Sequence, residues 1–414
     1  MRTKLILAVS VVALVAAACT QGSTNDPAET AVPSETLFVG TGAGPLLVRV
    51  PTGSVLFEHP GAVGSLGGSF VVSPSGSQDS TRLRTVDAAG GFVGATRVDG
   101  TLDVGVVSES GRAVALVDPL PNGWDPSVPV PRARTTIVVA DPNGTRDTVT
   151  YDLRGNYEPE AFSTDDRTLF LIQHLPAETP TVYRVTALDL RRGNVYPVFG
   201  PYKGPAERMP GIRLQQVMAP NDDQLYTLYS SAQPGYAPHE APVASDATVS
   251  FVHVLSLQEG WAHCVGLPKM LWDRPASEQA LAPSPNGRLL YVVNAALGVV
   301  SVMDTRTLAI LRTTQIGRTL DGITRTSAVV SDDGGSLYVG AAGQVERIDT
   351  DSLTVADVWD TGDVTGLGMS ADGRRLYVAV GEDVKVLDAR TGAELGAVAV
   401  PSPAPIDRLW TPAA

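Results

Sequence analysis

The stretches RLLYVVNAALGVVSVMDTRTLAIL (288–311) and RRLYVAVGEDVKVLDARTGAEL (374–395) have one pattern in common. A Tyr-Val strand ends in a tight Asn or Gly turn. A Val-rich strand follows, closes on an aspartate, and a further strand begins. Apolar residues alternating with small or polar ones give the period-two signature of half-buried strands. Asp, Asn and Gly at the breaks supply the side-chain hydrogen bonds and positive φ that tight turns need.

The pattern recurs along the chain. A strand running into a polar turn stands at VRVPTGS (48–54), RTVDAAGG (84–91), VVADPNGT (138–145), TALDLRRGN (186–194), HVLSLQEG (253–260), SVMDTRTL (301–308), ERIDTDSL (346–353) and KVLDARTG (385–392). These turns are about 48 residues apart, the period of a repeat architecture. A second landmark precedes most of them, at SPSG (73–76), SESG (108–111), STDD (163–166), APND (219–222), SPNG (284–287), SDDG (331–334) and SADG (370–373). Each is read as the turn between the first two strands of a unit. No amphipathic helical pattern of useful length follows the N-terminal segment. Repeats of roughly 40–50 residues with about four strands each predict an all-β chain folded as a single β-propeller. One blade cannot bury both of its faces, so each copy supplies half of its neighbour's core. Eight four-stranded blades are counted, with seven as the alternative, because the strands are compressed over 61–98. Residues 36–58 fit the last three strands of a blade, and PIDRLWTP (405–412) can supply the inner one. The ring is therefore expected to close on a blade shared by the N- and C-terminal strands.

The copies quoted first resemble the YVTN family of propeller repeats. The resemblance covers 279–400 well and 36–268 loosely. It implies a propeller of the YncE-like, quinoprotein-dehydrogenase-like type. No Trp-Asp closes a strand and no Gly-His opens a blade, so the WD pattern is not met. Members of the family differ in what they do, so the resemblance implies a fold more than an activity.

The chain opens with MRTKLILAVSVVALVAAAC (1–19). Arg2 and Lys4 precede an apolar run, Leu5 to Ala18, that falls short of the about 20 residues of a membrane-spanning helix but suits a signal peptide. The small residues before Cys19 resemble a bacterial lipoprotein signal, in which the cysteine is acylated and becomes the new N-terminus. Ala16 stands where such signals usually carry an aliphatic residue, with Val15 one place further back. Residues 20–34, TQGSTNDPAETAVPS, read as a flexible tether, and 35–414 as the propeller domain. The expected location is the extracytoplasmic face of the cell membrane, through a lipid anchor, with secretion as the alternative.

A net charge of −13 offers no electrostatic footprint for nucleic acid. The two cysteines, Cys19 and Cys264, form no disulfide framework, and no spacing for zinc or covalent haem occurs. GTGAGP (40–45) lacks a following helix and reads as a β-turn. His253 and His263 fall on neighbouring strands of one blade, but the five histidines show no convergent spacing. Asp103, Asp321, Asp363 and Asp407 read as solvated turn acids near the channel mouth. No metal site, cofactor or catalytic residue is assigned.

Elaboration gathers on one face. In a blade, the loops between strands two and three, and the connectors between blades, open on the same side. The insertions are 119–136, a small one at 176–181, and 230–250, with long connectors at 200–213 and 266–279, in consecutive blades. Long loops of this kind are often functional. Trp124, Tyr202, Arg208, Tyr236, His239 and Trp272 lie in them, and Tyr157, Glu158 and Glu160 enter the adjoining blade from the same side. Aromatic and Arg side chains among prolines suit a contact surface. The expectation is a binding or interaction module for an envelope protein, a glycan or a small ligand. The alternative is a propeller enzyme, a lyase, lactonase or quinoprotein-type dehydrogenase, with its site at the central channel mouth.

Overall fold

The computed structural model describes residues 35–41, 44–77, 79–125, 128–201, 208–230, 250–272, 278–317, 325–400 and 406–410. Cys19 and the whole of 1–34, together with Tyr202, Tyr236, His239 and Asp321, lie outside them.

The chain builds eight four-stranded antiparallel sheets. The first blade holds β1 (Glu35–Thr41), β2 (Gly44–Val50) and β3 (Ser54–Glu58). The second holds β4 (Val63–Gly64), β5 (Phe70–Ser77), β6 (Ser80–Asp87) and β7 (Phe92–Asp99). The third holds β8 (Asp103–Val107), β9 (Val114–Val117), β10 (Arg134–Ala140) and β11 (Val149–Arg154). The fourth holds β12 (Asn156–Phe162), β13 (Thr168–Leu175), β14 (Val182–Asp189) and β15 (Val195–Pro197). The fifth holds β16 (Ile212–Met218), β17 (Gln224–Ser230), β18 (Ser250–Ser256) and β19 (Ala262–Gly266). The sixth holds β20 (Gln279–Pro283), β21 (Leu289–Asn294), β22 (Val299–Asp304) and β23 (Ala309–Gln315). The seventh holds β24 (Ser327–Val330), β25 (Ser336–Ala341), β26 (Gln344–Asp349) and β27 (Thr354–Asp360). The eighth holds β28 (Val364–Met369), β29 (Arg375–Val380), β30 (Asp383–Asp388) and β31 (Glu394–Ala399). The last strand, β32 (Ile406–Trp410), returns to the first blade and pairs with β1, Val39 opposite Leu409. This is the shared closing blade that the sequence predicts, and the count of eight holds.

Glu35 fastens the closure. Its carboxylate accepts hydrogen bonds from Tyr377 Oη at 2.5 Å and Arg375 Nη2 at 3.3 Å, both in the eighth blade. The core is a series of clusters, each straddling two neighbouring blades. Phe170 and Ile172 of the fourth blade, for example, pack with Leu225, Tyr229 and Phe251 of the fifth. The second and third strands are therefore buried on both faces, as the Tyr-Val strands require.

Serine sets the turn between first and second strands. Ser284, Ser331 and Ser370 each accept the backbone N–H five residues on at 2.9 Å. Ser108 and Ser163 do the same at 3.0 Å. The second blade corrects one reading. SPSG (73–76) lies inside β5, paired with Arg84 to Thr81 of β6. The turn of that blade is 65–69, where Ser65 Oγ accepts Phe70 N–H at 3.2 Å. A first strand of two residues followed by long, polar-ended second and third strands displaced the landmark. The same turn crosses the channel at its short-turn end. Gly67 N–H donates to Glu109 Oε1 of the third blade at 2.8 Å, and Leu66 packs on the cluster between the fourth and fifth.

Candidate functional site

A cavity of about 1380 Å³ runs down the ring axis, lined by the first strands. A strongly polar sector of it is the wall made by β12 and β16. Both strands carry a β-bulge, at Pro159/Ala161 and at Arg213/Gln215. In β12 the residue left without a partner is Glu160. A bulge re-aims side chains, and Pro159 is tolerated here because an inner strand is a sheet edge. Close packing helps to seat it: a Cβ on Gly105 of the third blade would lie 3.2 Å from Pro159 Cγ.

Arg213 joins the two strands. Its Nη2 donates to Glu158 Oε1 and its Nη1 to Glu160 Oε2, each at 2.9 Å. Glu160 is fully buried below, and Gln216 Nε2 donates to its other oxygen at 2.8 Å. Glu158 and Arg213 instead face the channel, with 44% and 39% of their side chains open. His174 Nε2 lies 3.3 Å from Glu158 Oε2. Behind them Tyr183, Tyr229 and Phe251 stack.

The electrostatics differ between the two carboxylates. Enclosure would raise Glu158, but Arg213 and then His174 overcome it and hold the group at about 2. Glu160 is raised, because burial and the neighbouring Glu158 outweigh Arg213. Burial likewise pushes the Tyr229 phenol well above its ordinary value, so it stays protonated.

The rim is built from long loops. The side-chain amide of Asn156 donates to Val130 O at 2.8 Å and Ala177 O at 3.0 Å, tying the loops of the third and fourth blades together. In the neighbouring sixth blade, Gln279 is 4% exposed and donates to Leu271 O at 2.8 Å. Its Oε1 is buried with no hydrogen-bond partner among the described residues.

Tyr157, Glu158 and Glu160 thus come together on the channel wall, with the Tyr157 hydroxyl accepting a hydrogen bond from Gln173 Nε2 at 3.1 Å. Trp124, Arg208 and Trp272 do not join them. Trp124 folds back on its own loop, Nε1 to Val128 O at 2.7 Å, and Trp272 does the same, Nε1 to Leu267 O at 2.9 Å. Arg208 is exposed beside Met209, which bridges to Tyr183. Sequence reasoning missed Arg213, His174 and Gln279. The signal was present in RLQQ (213–216), a polar run in a strand that the seventh and eighth blades fill with small or apolar residues.

His253 lies opposite Cys264, and Val254 opposite His263, in β18 and β19. Burial first, and His263 second, hold His253 down at about 4. Among the described residues no three His, Cys, Asp or Glu side chains converge as a metal site.

No protein-family model and no curated protein sequence matches the chain. Solved structures do. The apo form of AztD from Citrobacter koseri superposes with a TM-score of 0.54 at 14% identity, covering 92% of this chain and 98% of that one. A second structure of the same protein gives 0.53 at 13% identity over 92% and 98%. Sqt1 of Saccharomyces cerevisiae gives 0.48 at 14% over 80% and 82%. At these identities the likeness to AztD is one of fold alone, and the eight four-stranded sheets place the chain among the β-propellers.

Proposed function

We propose that this propeller is a membrane-anchored, extracytoplasmic lipoprotein that acts as a binding module, with its ligand held where the channel opens among the long loops. The reading keeps Cys19 as the acylated residue, 20–34 as the tether and the YncE-like resemblance as the kinship. One observation carries the binding role. The channel wall holds an ion pair, Glu158–Arg213, that is fixed from below by Glu160 yet left half-open to the lumen. A buried pair kept for stability alone would be covered. Pre-positioned polar groups on a concave wall are what a ligand site requires.

An enzyme is the second reading, and the Glu158–His174 contact favours it, since a carboxylate-oriented imidazole is the arrangement general bases use.

The test is native mass spectrometry of the full-length protein extracted in mild detergent from its own membranes. A lipid mass on Cys19, absent in Cys19→Ala, supports the anchor, and an unmodified soluble protein overturns it. A non-covalent adduct or captured partner lost in Glu158→Ala supports the binding role. A bare protein that hydrolyses lactones, with activity lost in His174→Gln, replaces binding with catalysis.

A further inference from the structure

We infer that the channel takes a ligand carrying a cationic amine, with its ammonium group set against Glu158 and a hydrogen-bond donor directed at Gln279. This deepens the binding reading and rests on it. Charge decides the sign. The lumen is lined by the acids Asp103, Asp118, Glu158, Glu160, Asp222 and Asp332. Only Arg132, Arg213 and Arg325 oppose them among the described lining residues. In the local cluster one guanidinium faces two carboxylates, of which Glu158 alone is open to the lumen.

The free valences agree. Each Glu158 oxygen takes one bond from the protein, Oε1 from Arg213 and Oε2 from His174, and each keeps a further acceptor site turned to the lumen. Arg213 already spends one nitrogen on each carboxylate, so an incoming anion would meet a neutralised cation flanked by Glu158. Gln279 supplies the second, independent observation. Its Oε1 is a buried acceptor left without a donor, on a side chain that lines the same cavity. Such an atom is costly to bury unless something satisfies it. Glu158 and Gln279 therefore ask for donors, while Arg132 Nε, a buried donor on the same lining without an acceptor among the described residues, asks for the opposite. A compact ammonium is the donor-rich cation that fits a carboxylate with two oxygens already committed.

Isothermal titration calorimetry on the full-length protein tests this, with cadaverine and spermidine as probes and glutarate as an anion of matching length. The expected result is one-to-one binding of an amine, weakened about tenfold or more by Glu158→Gln, less by Gln279→Leu, and unchanged by Trp272→Ala. Melting curves establish that each variant folds, and Gln279→Leu carries the test if Glu158→Gln does not. Amine binding of equal strength in both channel variants overturns the inference, because the amine then sits on the acidic exterior. Binding of glutarate but not of the amines, lost in Arg213→Lys, overturns it while leaving the channel as a binding site. Binding of no probe overturns it as well, and the membrane-extracted adduct then decides the broader reading alone.

Discussion

The inner strands of the fourth and fifth blades read NYEPEAF and IRLQQVM, and those of the seventh and eighth read SAVV and VTGLGM. All four occupy the same place in the ring, and each pairs with one neighbour only. Yet one pair carries a three-residue ion cluster, buried at Glu160 and open at Glu158 and Arg213, and the other carries no charge. The second strands do not diverge in this way: β17, β21, β25 and β29 are almost wholly buried and keep the same Leu-Tyr core. The repeat constrains what is packed on both faces. An inner strand has a face toward the lumen, so its side chains are released from the repeat and can acquire a task of their own.

The comparison can be broken most severely at Arg213. Arg213→Met leaves Glu160 buried beside Glu158 with no cation, and should cost about 3 kcal/mol or more in urea unfolding at pH 7. Its sign with pH is fixed. Without the guanidinium the Glu160 carboxyl is raised further, so the loss is full at neutral pH and shrinks as the pH falls and the group takes up a proton. Ala328→Ser in the apolar sector should stay within about 1 kcal/mol. Equal costs at both places would mean that the ion cluster carries no more stability than ordinary packing.

Glu35→Ala removes two charge-assisted contacts of the closure and should cost about 2 kcal/mol, read as a lower urea midpoint.

His253 sharpens the contrast differently. Its pKa is depressed from 6.5 to about 4 by burial, so its neutral form contributes stability that is full above 6.5 and lost as the pH falls through about 4. His253→Phe should flatten the melting temperature over that window by the equivalent of roughly 2 kcal/mol. A variant that keeps the wild-type acid limb would assign the limb to carboxylates instead.

The smallest effect belongs to the regular half. Ser331→Ala deletes the two turn hydrogen bonds of that hydroxyl, from Ser336 N–H and to Asp333 Oδ1, and should cost about 1 kcal/mol.

The fold was legible because period and turn chemistry report directly on backbone geometry. Ser, Asp and Gly at fixed offsets create the turns they announce, and a closing strand is visible at both chain ends. SPSG misled because the same residue types also end a strand that runs out into solvent, where Ser75 and Gly76 are exposed. The site was half legible. Glu158 and Glu160 stood out as acids in a strand, but their partner Arg213 lies more than fifty residues on. Only the ring brings the blades side by side. Trp124 and Trp272 read as exposed anchors because nothing in a loop's composition reveals that an indole N–H is taken by a carbonyl four or five residues away.

The turn at 65–69 changes how the molecule carries load. A ring of blades that touch only their neighbours behaves as a chain of links, and tension on one end peels them off in order. Here a segment of the second blade is bonded to Glu109 of the third, packs on the cluster between the fourth and fifth, and brings Gly67 close to Asp222 of the fifth. Force entering at Glu35 would act first on the closing blade, where β32 holds β1 through four register pairs. Past that point the peel meets a strut fixed at several places, and the wall that holds Glu158 and Arg213 lies on its protected side.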